Sequence, residues 1–229
     1  MVPQNQSQIA GAILIVGILI AGAILLRGNM PTKQVANTNN PNTQVVAELP
    51  PVSASDHIIG SASAKVVIVE YSDTECPFCK VFHNTLHDIV TENNGQVAWV
   101  YRHFPIDSLH PKAFHEAEAT ECAYEQGGNE MFWRYIDEVF ARTESNNKLD
   151  VAELPKIAAD LKLDMEKFNT CLESGKFADK IEGQITEAQN SGARGTPASF
   201  IIVKGKVVGT VPGAVSKAKL QAQLDTLLK

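Results

Sequence analysis

Apolar residues run unbroken from Ile9 to Leu26, lose any pattern until Lys65, and then return in short β-branched stretches and at helical spacing. The first run is eighteen Ile, Leu, Val, Ala and Gly residues. As a helix rising ~1.5 Å per residue it spans about 27 Å, close to the hydrocarbon thickness of a bilayer. It is expected to be a membrane anchor or an uncleaved signal over residues 1–27, because Met1–Gln8 has no Lys or Arg and Leu25-Leu26-Arg27 offers no small-residue cleavage site. Arg27 and Lys33 follow the run, and the positive-inside rule alone would keep that side cytoplasmic. Residues 28–55 are rich in Asn, Thr, Pro, Gln and Val without an apolar face, and read as a flexible linker with a reach of about 30 Å.

From residue 56 the pattern is that of a folded domain, 56–229. Lys65–Tyr71 is a β-branched run suited to a buried central strand. Cys76-Pro77-Phe78-Cys79 follows and opens a helix carrying Val81, Phe82, Leu86, Ile89 and Val90. Gln96–Phe104 predicts a second strand. Residues 112–191 are helical throughout, with Asp150 and Glu153 reading as a capping box and Asp164 as a cap of a helix stopped near Gly175. Ala198–Val203, a Lys204-Gly205 turn and Lys206–Val211 form a hairpin, and Lys217–Leu228 a last helix. The order βαβ, helical block, ββα implies an α/β fold, a mixed sheet covered by helices.

Charge narrows the function classes. The formal net charge is −6, and residues 51–229 carry 18 basic against 25 acidic side chains, a poor surface for nucleic acid. The four cysteines are too few for a disulfide-stapled mini-protein and suit redox chemistry. Cys76 sits where a helix begins, with Pro77 suited to the first helical position, so the free amides of Phe78 and Cys79 and the positive end of the helix dipole face its sulfur. That placement favours the thiolate and makes the disulfide a willing oxidant. Cys79, one turn further in, is the buried resolving thiol. A rival reading gathers Cys76, Cys79, His83 and His87 into a metal site, but His87 would lie ~12 Å along the helix from Cys79, too far for one tetrahedral ion. His83 and His87 then read as a half-exposed helix face, and His57, His103, His110 and His115 as surface or packing residues. No metal and no cofactor is expected.

Four segments in order carry a resemblance: Val-Glu-Tyr-Ser-Asp-Thr-Glu-Cys-Pro-Phe-Cys at 69–79, Glu-Cys-Ala-Tyr-Glu-Gln-Gly at 121–127, Cys-Leu-Glu-Ser-Gly-Lys at 171–176 and Gly-Thr-Pro-Ala-Ser-Phe at 195–200. The region 56–229 resembles the DsbA-type thiol:disulfide oxidoreductases, which implies a thioredoxin fold with a helical domain inserted at about 112–191. Thioredoxins proper carry Trp where this chain has Glu75. The resemblance implies a cis peptide at Thr196-Pro197, placing the Thr196 backbone beside Cys76 to receive an extended substrate segment, with Pro77 and Phe78 on the same substrate-binding surface. It also implies an acid under the active-site disulfide at the position of Glu70. Burial would raise its pKa and let it exchange a proton with Cys79, whereas strand alternation could equally turn it outward. Cys122 and Cys171 lie on inward helix faces, as two buried thiols or as a structural disulfide; an oxidising compartment favours the bond.

The reading is a membrane-tethered dithiol oxidase, catalytic through Cys76, Cys79 and Glu70, whose domain faces away from the cytoplasm and donates disulfides to unfolded exported proteins. The resemblance implies a membrane quinone-linked partner of DsbB or VKOR type for reoxidation. A membrane-tethered disulfide reductase and a non-enzymatic metal-binding module remain as alternatives.

Overall fold

The computed structural model describes residues 49–229; the anchor expected at 1–27 and all but the end of the linker at 28–55 lie outside them. Among the described residues no helix is long and apolar enough to cross a membrane. Five strands form one mixed sheet: β1 (His57–Ile59), β2 (Val66–Ser72), β3 (Val97–His103), β4 (Ala198–Val203) and β5 (Lys206–Pro212), in the order β1-β3-β2-β4-β5. β2 and β3 run parallel, joined through helix α1 (Pro77–Glu92), and the remaining neighbours are antiparallel. β1 was not visible in the sequence pattern. It is only three residues long and pairs with Trp99–Tyr101 of β3 at the sheet edge.

Alternation along β2 sorts its side chains between two cores. Val66 and Ile68 pack with Trp99 and Tyr101 of β3 and Phe82, Leu86 and Ile89 of α1, while Val67, Val69 and Tyr71 pack on the other face with Val100, Phe200 and Ala188. Glu70 and Ser72 share the parity of Ile68 and so face α1. The first core also takes Leu220 and Leu224 of the last helix, α6 (Lys217–Leu227).

Between β3 and β4 lie α2 (Ala113–Arg142), α3 (Glu153–Asp160), α4 (Met165–Ser174) and α5 (Ala178–Asn190). α2 is two helical segments that meet at Gly128, whose φ of 65° and ψ of −158° leave the helical region. That conformation suits glycine, and it lets the second segment turn Phe132 and Ile136 into the core beneath α1. A third core, with Ala119, Cys122, Tyr135, Val139, Leu154, Ile157, Phe168 and Cys171, is built from these helices and the Leu149 loop between α2 and α3, without a strand. Asp164 caps α4 by accepting from the amides of Glu166 and Lys167, and Gly175 ends it in the left-handed conformation. The Asp150–Glu153 capping box does not form. Asp150 instead accepts from the Ala152 amide at 3.0 Å and closes a turn before α3, while the Glu153 carboxylate pairs with Arg142 and Lys156.

Candidate active site

The redox pair sits where β2 gives way to α1. Cys76 is the N-cap residue of α1 in extended conformation, with Pro77 in the first helical turn. The helix has no side-chain cap, so its first amides are left for the Cys76 sulfur. The pKa of Cys76 is lowered to about 6; the hydrogen bond from the Cys79 thiol contributes most, with Thr196 and the amides of Cys79 and Phe78 adding to it against the cost of burial. Cys79 is fully buried, and burial together with the neighbouring Cys76 holds its thiol well above the usual range. The two sulfurs thus carry opposite bias, one toward thiolate and one toward thiol. Cys76 is itself largely covered, but Phe78, two residues on, is 65% exposed, and Val81 further along α1 is 63% exposed.

Thr196 and Pro197 complete the approach. Their peptide bond is cis, and the Cys76 thiol lies 3.4 Å from the Thr196 carbonyl oxygen, to which it donates. Pro197 is buried and Thr196 half-buried at the head of β4, so the Thr196 backbone borders the sulfur.

Behind the pair is Glu70. It is fully buried and accepts from the Ser72 hydroxyl at 2.9 Å and from the Trp99 indole N–H at 3.0 Å. Both hydrogen bonds favour the carboxylate, but desolvation outweighs them and pushes its pKa up to about 8. Burial dominates the raised pKa of Cys79, Cys76 and the buried Glu70 add to it, and Ser72 works against it.

The sequence reading did not single out Ser72, Asp73 or Thr74, and marked Glu75 only as a departure from Trp. Asp73 accepts from the Glu75 and Ile106 amides and from His110 Nδ1 at 2.8–2.9 Å. Thr74 donates to Glu116 at 2.6 Å. Glu75, at the Trp position of thioredoxins, is fully buried and accepts from the Asn147 and Leu149 amides at 2.7 and 3.1 Å. The departure from Trp is therefore an anchor that ties the loop after α2 to the redox motif. Its trace in the sequence is three consecutive polar residues between a buried strand and a helix start.

Cys122 and Cys171 form a disulfide between α2 and α4, within the helical core and apart from the redox pair. Among the histidines, His83 departs from the half-exposed face expected of it. His83 is buried, and it and His87 meet Asp137 instead of the cysteines. His57 and His103 are buried against Glu121, at 2.8 and 3.1 Å, with Lys180 2.8 Å from the same carboxylate. Packing, of the two placements open to His57 and His103, is the one they take, whereas the half-exposed face fails for His83 because hydrophobic periodicity does not register polar groups buried as partners of one another.

A family model described as thioredoxin matches residues 53–226. The crystal structure of Pseudomonas aeruginosa DsbA2 is 31% identical, with a TM-score of 0.64 over 79% of this chain and 96% of that one. Wolbachia pipientis alpha-DsbA1 (24% identity, TM-score 0.66, 79% and 93% covered) and oxidised BdbD from Bacillus subtilis (19%, 0.67, 80% and 98%) share the fold. Among curated proteins, Na(+)/H(+) antiporter NhaA of Herminiimonas arsenicoxydans is 35% identical over 153 residues, 66% of this chain and 23% of the antiporter. NhaA 3 of Salinispora tropica is 34% identical over 146 residues, 64% and 21%. The chain thus spans less than a quarter of the length of these two curated relatives.

Proposed function

Because the chain belongs to the thioredoxin family and is a DsbA-like thiol:disulfide oxidoreductase, we propose that it works as a dithiol oxidase, giving disulfides to exported proteins from the Cys76–Cys79 pair. The observation that carries this direction is the opposed bias of the two sulfurs, Cys76 lowered to about 6 and Cys79 raised. A stabilised thiolate at Cys76 favours the reduced enzyme, and a couple whose reduced form is favoured takes electrons from its partner.

In the oxidised enzyme a substrate thiolate attacks the Cys76 sulfur, the Cys76–Cys79 bond breaks, and Cys79 leaves with the electron pair. Glu70, with its pKa near 8, holds a proton at neutral pH and, as an electrostatic neighbour of Cys79, supplies it to the departing sulfur. The second substrate thiolate then attacks the substrate sulfur of the mixed disulfide. The substrate disulfide forms, Cys76 departs as thiolate, and two electrons rest on the enzyme. Thr196, cis Pro197 and the exposed Phe78 border Cys76 and would receive an extended substrate segment, with Pro77 behind them. A membrane quinone-linked partner of DsbB or VKOR type would take the electrons away, with the domain held outside the cytoplasm by the segment 1–27.

The test is the equilibrium of the Cys76–Cys79 couple with glutathione, combined with oxidation of a reduced, unfolded substrate. An oxidising potential and stoichiometric substrate disulfide formation are expected. A potential in the range of cytosolic dithiol reductants would establish the reductase reading instead.

A further inference from the structure

We propose that His83, His87 and Asp137 form a binding site for one divalent transition-metal ion of the zinc type, separate from the redox cysteines. His83 and His87 stand one turn apart on α1, and Asp137 reaches them from the second segment of α2. The three candidate ligand atoms converge: Asp137 Oδ1 lies 2.7 Å from His83 Nε2 and 3.0 Å from His87 Nε2, and the two Nε2 atoms are 3.2 Å apart. Three ligands held at ~2.0–2.1 Å around a tetrahedral zinc are separated from one another by about 3.3 Å, so small side-chain movements admit the ion.

Without an ion the arrangement is awkward. His83 and His87 Nε2 crowd a single carboxylate oxygen and each other, so either two N–H groups oppose one another at 3.2 Å or one ring turns its lone pair toward the carboxylate. One cation replaces the protons there and takes all three lone pairs. The ligands are also held in place, since His83 packs against Trp99 and Phe140, and His87 against Trp99 and Trp133. This ring packing does for His83 what a hydrogen bond at Nδ1 commonly does, for that buried atom has no hydrogen-bond partner among the described residues. Two histidines and one carboxylate make an open ligand set, and the fourth position faces a surface pocket of about 480 Å³ that also holds Asn84 and Asp88. Lys80, at its edge, is turned away to the Thr143 carbonyl.

The second histidine–carboxylate cluster, His57, His103 and Glu121, offers similar atoms, but there Lys180 already supplies the positive charge, 2.8 Å from Glu121 and 3.1 Å from His57. Among the described residues no lysine or arginine pairs with Asp137.

The experiment is a zinc titration of the full chain with Cys76 and Cys79 oxidised, so that no thiolate can bind; residues 1–48 contain no His or Cys. One zinc per chain, removable by chelator, is expected, with a higher melting temperature when it is bound. Cobalt in its place should show d–d absorption of a low-coordinate ion without a thiolate charge-transfer band. His87→Gln and Asp137→Asn, both at partly exposed side chains, should weaken binding at least ~10-fold and remove the thermal shift. His115→Gln, at an exposed position, should leave both unchanged. No stoichiometric binding by the folded, oxidised chain would overturn the site. So would zinc binding that survives both His87→Gln and Asp137→Asn, because the ion would then lie elsewhere.

Discussion

At the scale of single residues, the site works by giving neighbouring groups opposed protonation. Cys76 owes its low pKa first to the thiol of Cys79, so the two cysteines should fail differently. Cys76→Ser should form no mixed disulfides, whereas Cys79→Ser should hold substrates as adducts that only added reductant releases. Non-reducing gels make the comparison, and equal trapping by the two variants would contradict the assigned roles. In Cys79→Ala the hydrogen bond is gone as well, so the alkylation midpoint of Cys76 should move upward from about 6. Glu70 carries a second, pH-dependent signature. Its carboxyl titrates near 4.5 when unfolded and at about 8 when folded, so between those values only the folded state keeps the proton. That contribution is fully present below about 4.5 and is lost as pH rises through 8. Glu70→Gln keeps an acceptor for Trp99 but cannot ionise. It should therefore abolish this loss, a gain on the order of a few kcal/mol at alkaline pH, measured by denaturant unfolding across the window. The same variant should slow thiol exchange near neutral pH about 10-fold or more, because Cys79 leaves without its proton donor. Unchanged exchange with altered stability would assign Glu70 a purely structural part.

Whole elements explain what could and could not be read from the chain. β2, β3, α1 and the β4–β5 hairpin were legible because each has a strong apolar period or a turn with a mechanism; Lys204 and Gly205 both adopt positive φ, as a tight hairpin turn requires. β1 was not, since three residues at a sheet edge carry no period. The Asp150 box misled because the local pattern fits equally a turn that precedes a helix. The roles of Glu75, Thr74 and Asp73 were not legible for a different reason, although Glu75 stood out as a departure from Trp: their value lies in backbone amides and side chains brought from residues 106–149, and no local pattern encodes those distant partners. Cys122 and Cys171 were legible as inward-facing residues, and their bond spans 49 positions from α2 to α4 in a helical core that shares no strand. Replacing both by Ala should cost about 2–4 kcal/mol on the chain-entropy view. Substrate oxidation should persist, because the redox pair is held by α1 and the segment before it. Loss of turnover in a folded double variant would instead make this pair part of the electron path.

Across the molecule, one buried charge cluster and one redox requirement set the conditions under which it works. His57 of β1, His103 of β3, Glu121 of α2 and Lys180 of α5 meet where the sheet touches the helical block. Burial lowers His57 from 6.5 to about 4 and lowers His103 as well, while hydrogen bonds from His103 and His57 outweigh burial and hold Glu121 well below the usual carboxylate range, with Lys180 ion-paired to it. Depressed pKa values give stability that is present above the unfolded value, so the protein should weaken as pH falls from about 6.5 through 4. Glu121→Gln should cost about 3–5 kcal/mol at neutral pH by leaving Lys180 without its buried partner. A melting temperature flat across that window would show that the cluster stays neutral or hydrated. The redox requirement is compartmental. An oxidant disulfide would be kept reduced by a glutathione-type cytosol, whereas Arg27 and Lys33, two charges just after the apolar run, bias that flank toward the cytoplasm. Two charges are a small bias against the need for an oxidising compartment, so residues 28–229 should face away from the cytoplasm. In intact cells treated with a permeant reductant, a membrane-impermeant maleimide should then label Cys76, and Cys76→Ser should lose most of that label. If the cysteines react only after lysis, the domain is cytoplasmic, and the lowered pKa of Cys76 would have to serve a reductase.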